Sequence, residues 1–125
     1  MRNAIRPSGA TTVGPYSPAV EAGGFVYLSG QTPIDPATGK LVTGGVAEQT
    51  RQCLRNSFNI LKAAALTGDD VVKVTVYLVD LSHFPAMNEV YASEFSEPYP
   101  ARTTVGVREL PLGASVEIEM VARRG

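Results

Sequence analysis

The sequence predicts an α+β fold in which two helices cover one face of a mixed, mostly antiparallel sheet. The predicted elements run in the order strands, long helix, strand, shorter helix, strand pair, which is typical of this class. Apolar residues recur at every second position in the strand segments and at every third or fourth position in the helix segments. The 125 residues match the size of one domain, so we expect a single domain over residues 1–125.

The first half of the chain is predicted to hold a short strand and the main helix. Residues 25–29 form an aromatic and β-branched run between glycines, which predicts a strand that ends in a tight loop at Gly30. Over residues 46–66 the apolar positions follow helical spacing, and Gly68 is expected to stop the helix in a left-handed conformation. Cys53 lies among the core positions of this helix, so we expect it to be buried.

The second half is predicted to begin with a central strand and a shorter helix. Residues 71–80 alternate between two faces with the two-residue period of a strand. Ser82 is the expected N-cap of a helix whose aromatic residues and Met87 recur at three- and four-residue steps. Pro98 and Pro100 are expected to close this helix, because proline cannot continue it.

Two further strands are predicted at residues 102–108 and 115–122. They flank the turn-forming segment 110–113, so we expect them to pair as an antiparallel hairpin. In the last strand one face is apolar, whereas Glu117 and Glu119 share the other face. Two carboxylates on one strand face indicate either a functional role or a solvated surface.

The sheet face that the helices leave uncovered is expected to carry apolar side chains. Tyr77, Val79 and Val121 would lie there among polar groups. This is more apolar area than a small monomer usually leaves in water. We therefore predict a homo-oligomer.

Composition and charge exclude several classes of protein. The chain is 44% hydrophobic and 18% charged, which is typical of a folded domain, and no apolar run approaches the roughly 18 to 20 residues that span a bilayer. The net charge of −1 disfavours stable nucleic-acid binding. One cysteine and one histidine do not form a ligand cluster, so we expect no metal ion. Residues 1–7 lack the apolar core of a signal peptide, which predicts a cytoplasmic location.

Four separate segments carry the most specific signal in the sequence. They are Gly14-Pro15-Tyr16-Ser17, Ser29-Gly30-Gln31-Thr32-Pro33, Asn88-Glu89-Val90-Tyr91, and Pro100-Ala101-Arg102 continuing through Leu110-Pro111 to Val116-Glu117-Ile118-Glu119. Together these segments resemble the RidA/YjgF family over nearly the whole chain. The resemblance implies a chorismate mutase-like fold and a homotrimer whose sheets form a central barrel, with ligand sites in the three clefts between subunits. It also implies an enamine/imine deaminase that hydrolyses 2-aminoacrylate and related compounds to 2-oxo acids and ammonia.

Arg102 and Glu117 are the main candidates for catalysis. A guanidinium matches a carboxylate with two parallel hydrogen bonds, so Arg102 could hold a substrate carboxylate. The alternative for an arbitrary strand arginine is an ion pair with an acidic residue. Glu117 could orient the attacking water and accept its proton, a role that requires no metal or cofactor. The alternative is a solvated carboxylate, and spacing alone does not decide between the two.

The remaining candidate residues rest on the resemblance. It places Tyr16 at the ligand as a third catalytic residue, whereas without it a packing tyrosine would be the better interpretation. The residues implied in substrate binding are Ser29, Gly30, Asn88 and Thr104. Ser29 and Gly30 could equally form a simple turn, and Asn88 could pair locally. Many family members have cysteine where this chain has Thr104, so we expect a difference in substrate preference there.

The predicted hairpin has a geometric consequence for the site. With its turn at residues 111–112, Arg102 would pair near Val121 and Glu117 near Gly106, which separates the two side chains by roughly 14 Å along one sheet. Substrate and water must lie within about 3 Å of their hydrogen-bonding partners. We therefore hypothesise that Arg102 and Glu117 of one chain serve different clefts, and that each site needs two subunits.

Three other functions compete with the deaminase. An endoribonuclease or translation inhibitor would need phosphate-binding groups and an acid/base pair, which the near-neutral charge and the lone histidine disfavour. A non-catalytic regulator could use the same arginine to bind a small carboxylate without turnover. A deaminase of a dedicated catabolic pathway would change the substrate but keep the chemistry. The sequence leaves these alternatives open.

Overall fold

The computed structural model describes residues 1–10, 12 and 14–125. Two helices and eight strands are assigned within these residues. The strands are β1 (Asn3–Ile5), β2 (Ala19–Ala22), β3 (Phe25–Gln31), β4 (Ile34–Asp35), β5 (Lys40–Leu41), β6 (Val71–Leu78), β7 (Ala101–Gly106) and β8 (Val116–Arg123), and the helices are α1 (Val46–Ala63) and α2 (Phe84–Glu94).

Six strands form one sheet in the order β1-β2-β3-β8-β6-β7. Every pair in this sheet is antiparallel except β6 and β7, which are parallel. β4 and β5 form a separate two-stranded sheet. The helices pack against each other, and α1 lies across β3 and β8. The predicted α+β class is confirmed.

The core lies between the helices and one face of the sheet. Val74 and Val76 of β6 and Ile118 of β8 are completely buried there, as the two-residue period predicts. β6 is an interior strand, as expected for residues 71–80. Cys53 of α1 is also completely buried, with its Sγ 3.7 Å from the carbonyl oxygen of Val116, and burial raises the pKa of its thiol.

The predicted hairpin between the last two strands is wrong, because β6 lies between β7 and β8. The segment 107–115 passes the end of β6, where Val107 N–H donates to the Leu78 carbonyl and Val79 N–H donates to the Ser115 carbonyl. The turn signal at 110–113 is real, since Leu112 has a φ of 63°. The turn belongs to the connection from β7 to β8, which passes the end of β6. A separate connection, through α2, joins the parallel strands β6 and β7.

The predicted left-handed stop at Gly68 is also wrong. α1 ends at Ala63, and the left-handed residue is Ala65 with a φ of 60°. The Leu66 N–H donates to the Leu61 carbonyl over 2.9 Å, which is the bond of a Schellman motif. Burial of the Leu66 side chain fixes this motif three residues earlier than expected, because it offsets the cost of a left-handed alanine.

The second helix begins differently from the prediction. Ser82 is not the N-cap: Asp80 accepts the Ser82 N–H over 2.9 Å and begins a short 3₁₀ turn that precedes α2. Pro85 lies in the first turn of α2, where its missing N–H costs nothing. The helix ends at Glu94, before Pro98 is reached.

Candidate active site

Arg102 lies on the helix-covered face of the sheet. It is level with Val74 of β6, whose side chain is buried beneath the helices, and paired residues on neighbouring strands share a face. Its guanidinium carbon is 4.6 Å from the ring centroid of Tyr91 and 5.5 Å from that of Phe84. Both rings belong to α2, so cation–π contacts orient the guanidinium.

No acidic side chain among the described residues forms an ion pair with Arg102. The ion pairs found there join Arg55 to Glu94 and Arg124 to Glu21. The alternative interpretation of Arg102, a surface or interface ion pair, therefore finds no partner among the described residues of one chain. Its fork remains available to an external carboxylate.

Two buried polar atoms accompany Arg102 on this face. Thr104 follows two residues later on β7, and its Oγ1 has no hydrogen-bond partner within the described part of the chain. The Tyr91 hydroxyl is likewise without a partner there, and burial raises its pKa to about 12. Asn88 is exposed and lies between Phe84 and Tyr91 on the same side of α2, by helical spacing. We call Arg102, Thr104 and Asn88 the arginine cluster.

Glu117 lies on the opposite face of the sheet. It stands between Val116 and Ile118, which are completely buried under the helices, so its side chain points away from them. Its carboxyl carbon would be 3.0 Å from a Cβ atom built at Gly30, so the carboxylate lies directly against this glycine. A side chain at this position of β3 would occupy the space that the carboxylate fills.

Ser29 and Tyr16 lie near Gly30. The Ser29 hydroxyl donates to the Ser17 carbonyl over 2.7 Å, and the Ser29 N–H donates to the Pro18 carbonyl over 2.9 Å. These bonds hold the segment that carries Tyr16 beside the end of β3. The Tyr16 side chain is 47% exposed. We call Glu117, Gly30, Ser29 and Tyr16 the glutamate cluster.

Burial is the main cause that raises the pKa of the Glu117 carboxyl, and the nearby negative charge of Glu119 raises it further. The Tyr77 hydroxyl donates to Glu119, and this bond is the main cause that raises the pKa of Tyr77 to about 12. A half-buried carboxylate with a raised pKa is a better proton acceptor than one in water. Glu117 is therefore suited to activate a water molecule.

The sheet separates the two clusters within one chain. Arg102 is level with Val74, whereas Glu117 is level with Tyr77, three residues further along β6. The two side chains also project from opposite faces. The distance estimated from the hairpin assumed a wrong strand pairing, yet the observed pairing separates the groups more completely. Within one chain, a small acid bound to Arg102 would therefore lie on the other side of the sheet from Glu117.

Surface grooves of the chain do not coincide with either cluster. One groove lies between the C-terminal ends of the two helices, beside Phe58 and Phe95. Another lies between α1 and α2, beside Arg51 and Glu89. The predicted site residues line neither of these two grooves.

Sequence reasoning did not identify the aromatic contacts of Arg102. Phe84 and Tyr91 were assigned only to the apolar stripe of the second helix. Their spacing relative to Asn88 was a usable signal, because a ligand-facing residue on a helix has its neighbours three and four positions away. Connecting that stripe to Arg102 requires the parallel β6–β7 pairing, which the sequence did not reveal.

Replacing Gly30 by alanine should displace the Glu117 carboxylate and, since Glu117 is the candidate proton acceptor, we expect kcat to fall at least about tenfold. The displaced atoms are the end of a flexible side chain, so the melting temperature should change little. Steady-state kinetics and thermal unfolding of the same variant check both expectations. Full activity, or a large fall in melting temperature, would contradict the contact described here.

Replacing Glu117 by glutamine should raise the melting temperature at neutral pH. The raised pKa means that the folded state binds the proton more tightly than the unfolded state, so the charged carboxylate destabilises the fold. This cost is present above the folded pKa and disappears below the unfolded value. Thermal unfolding against pH should show wild type and variant converging in acid. A constant difference at all pH values would contradict the burial of this group.

Two general features bear on function. Across residues 1–10, 12 and 14–125, no group of three or more His, Cys, Asp or Glu side chains is placed to hold a metal ion. Neither helix has the length and apolar character needed to cross a bilayer.

Comparison with known proteins identifies relatives over most of the chain. A RutC family protein from Pyrococcus horikoshii is 52% identical over 110 residues, which cover 88% of this chain and 87% of that protein. The human 2-iminobutanoate/2-iminopropanoate deaminase is 47% identical over 113 residues, covering 90% of this chain and 82% of the human protein.

Solved structures match the fold closely. RidA from an Antarctic Psychrobacter species is 45% identical with a TM-score of 0.92, covering 98% of this chain and 99% of that chain. TdcF from E. coli, crystallised with bound serine, is 36% identical with a TM-score of 0.90 and the same coverage. The family model described as Endoribonuclease L-PSP matches residues 7–124. The chain therefore belongs to the Endoribonuclease L-PSP family, which is the RidA/YjgF family.

Proposed function

We propose that the protein is a 2-iminobutanoate/2-iminopropanoate deaminase that hydrolyses enamine and imine acids of the 2-aminoacrylate class. The observation that carries this proposal is the Arg102 guanidinium, held by two aromatic rings and unpaired with any described acidic residue. Such a fork is complementary to the α-carboxylate of a small acid. The name of the human relative supports the same substrate class.

The reaction needs only groups that the chain supplies. Arg102 holds the carboxylate and fixes the imine carbon relative to the attacking water. The water oxygen bonds to this carbon while one water proton passes to Glu117. Glu117 relays this proton and then the remaining hydroxyl proton to the nitrogen, the C–N bond breaks as the C=O bond forms, and a 2-oxo acid and ammonia leave. Tyr16 and Ser29 would border the reacting centre.

The site is proposed to form between subunits of a homotrimer. The uncovered sheet face exposes Tyr27, Val79 and Val105, each more than a third accessible, which favours burial against another copy. A neighbouring chain could then bring its arginine cluster to the glutamate cluster of the first. Turnover of metabolic intermediates suits the cytoplasm, where the single cysteine would stay reduced.

A non-catalytic carboxylate sensor is the second candidate. The E. coli relative was crystallised with serine, which carries an α-carboxylate but is not an enamine. The same arginine cluster could bind such an amino acid without turnover. An endoribonuclease, by contrast, is suggested by names, those of the family and of some solved relatives, and not by a contact described above.

The decisive assay generates 2-aminoacrylate with a serine dehydratase and follows 2-oxo acid release. The deaminase predicts release faster than spontaneous hydrolysis, with a rate proportional to the amount of protein. If release stays at the spontaneous rate while serine or 2-oxobutyrate binds saturably, the result would favour the carboxylate sensor over the deaminase. Release at the spontaneous rate without binding would contradict both.

A further inference from the structure

We propose that Glu119, held in place by the Tyr77 hydroxyl, is a positioning residue that keeps Glu117 a strong proton acceptor through its negative charge. The inference rests on the proposed function, because it assumes that Glu117 accepts the proton from water. Glu119 would not touch the substrate. Its role would be to set the acid limit of the reaction.

The geometry of β6 and β8 places the three side chains on one face. Tyr77 is level with Glu117, and Thr75 is level with Glu119. Although Tyr77 is paired with Glu117, its hydroxyl donates to Glu119, the residue diagonally opposite on β8. The only proton of the phenol is therefore committed to Glu119, and Glu117 keeps its own lone pairs free for water.

Few other charged groups face Glu117. The titratable neighbour on β8 is Glu119. The titratable residues of β6 on the same face are Tyr77 and Lys73. The Lys73 ammonium donates to the Thr103 hydroxyl over 2.7 Å at the β7 side of the sheet. Cys53 of α1 lies on the other side of the sheet, and burial keeps its thiol neutral.

The flanking strands add no charge on this face of the sheet. β3 contributes Gly30 against Glu117, and β7 contributes Thr103 and Val105. Glu119 is thus the nearest charge to Glu117 among the described residues.

The spacing between Glu117 and Glu119 determines how strongly the charge of Glu119 acts on Glu117. Residues two apart on a strand lie about 7 Å from each other, within the distance over which charges interact at a partly buried surface. The carboxylate of Glu119 therefore disfavours a second negative charge at Glu117, in line with the direction of its pKa.

The test compares kcat/KM against pH for wild type and Glu119→Gln. The amide can still accept the Tyr77 hydroxyl, so the change removes the charge and keeps the contact. The acid limb of the profile should move to lower pH by about one unit. Glu119→Asp keeps a charge and should restore a limb close to that of wild type. Glu89→Gln, the same change at an exposed position of α2, should leave the acid limb in place.

A second readout does not depend on activity. Carbon NMR of the Glu117 carboxyl should show its titration midpoint at lower pH in Glu119→Gln than in wild type. An unmoved midpoint and an unmoved acid limb would overturn the inference. Failure of the proposed function has a different signature: Glu117→Gln would keep wild-type turnover, with or without a change at Glu119.

Tyr77→Phe is a further control, because it keeps the charge of Glu119. It should not move the acid limb to lower pH, and a shift equal to that of Glu119→Gln would count against the role of charge.

Discussion

Replacing Arg102 by alanine should lower kcat/KM for 2-aminoacrylate by about a thousandfold. Two charge-assisted hydrogen bonds to the substrate carboxylate would be lost, each contributing about 2 kcal/mol. The loss should appear in both kcat and KM, because the arginine both binds the substrate and orients it toward the water. Steady-state kinetics with enzymatically generated substrate measures the effect.

Two control variants define what the loss means. Arg102→Lys keeps the positive charge but not the planar fork, so it should recover only part of the activity. Arg55→Ala removes an exposed arginine of α1 that pairs with Glu94, and it should behave as wild type. An Arg102→Ala protein within threefold of wild type would remove Arg102 from the reaction.

Mixing two inactive variants should restore activity. Arg102→Ala chains keep Glu117, and Glu117→Gln chains keep Arg102. In randomly mixed trimers a cleft is intact when one chain supplies the arginine and the next supplies the glutamate, so about one quarter of the clefts should work. The expected result is therefore roughly a quarter of wild-type activity after the two proteins are unfolded and refolded together.

The refolding experiment has its own controls. Each variant refolded alone should remain inactive, and sedimentation should show the same assembly for variants, mixture and wild type. The double variant Arg102→Ala/Glu117→Gln mixed with wild type tests for dilution effects. Absence of recovery in correctly assembled mixtures would show that each chain contains both groups of its own site.

Local patterns predicted most of the elements, whereas strand pairing escaped prediction. The period of β6 and β8 identified the buried faces, because alternation is a property of the strand alone. After α2, β7 can pair only with a strand whose edge is still free, and that strand is β6. A turn signal at residues 110–113 cannot report that β6 already occupies the place beside β8.

The family pattern supplied the residues of the candidate site, which stay a prediction, and it did not reveal how they are arranged. Arg102 and Glu117 were identified by the family pattern, but their opposite faces follow only from the register with β6. The contact between Glu117 and Gly30 depends on the irregular pairing of β3 with β8, which has no local sequence signature. The bond from Tyr77 to Glu119 likewise joins residues 42 positions apart.

A crystal structure with bound 2-oxobutyrate tests the central claim most directly. The ligand carboxylate should lie on the Arg102 guanidinium of one chain, with its C2 atom facing Glu117 of a neighbouring chain. A ligand held by both residues of one chain, a ligand bound away from Arg102, or an Arg102 fork turned toward bulk solvent would contradict the account.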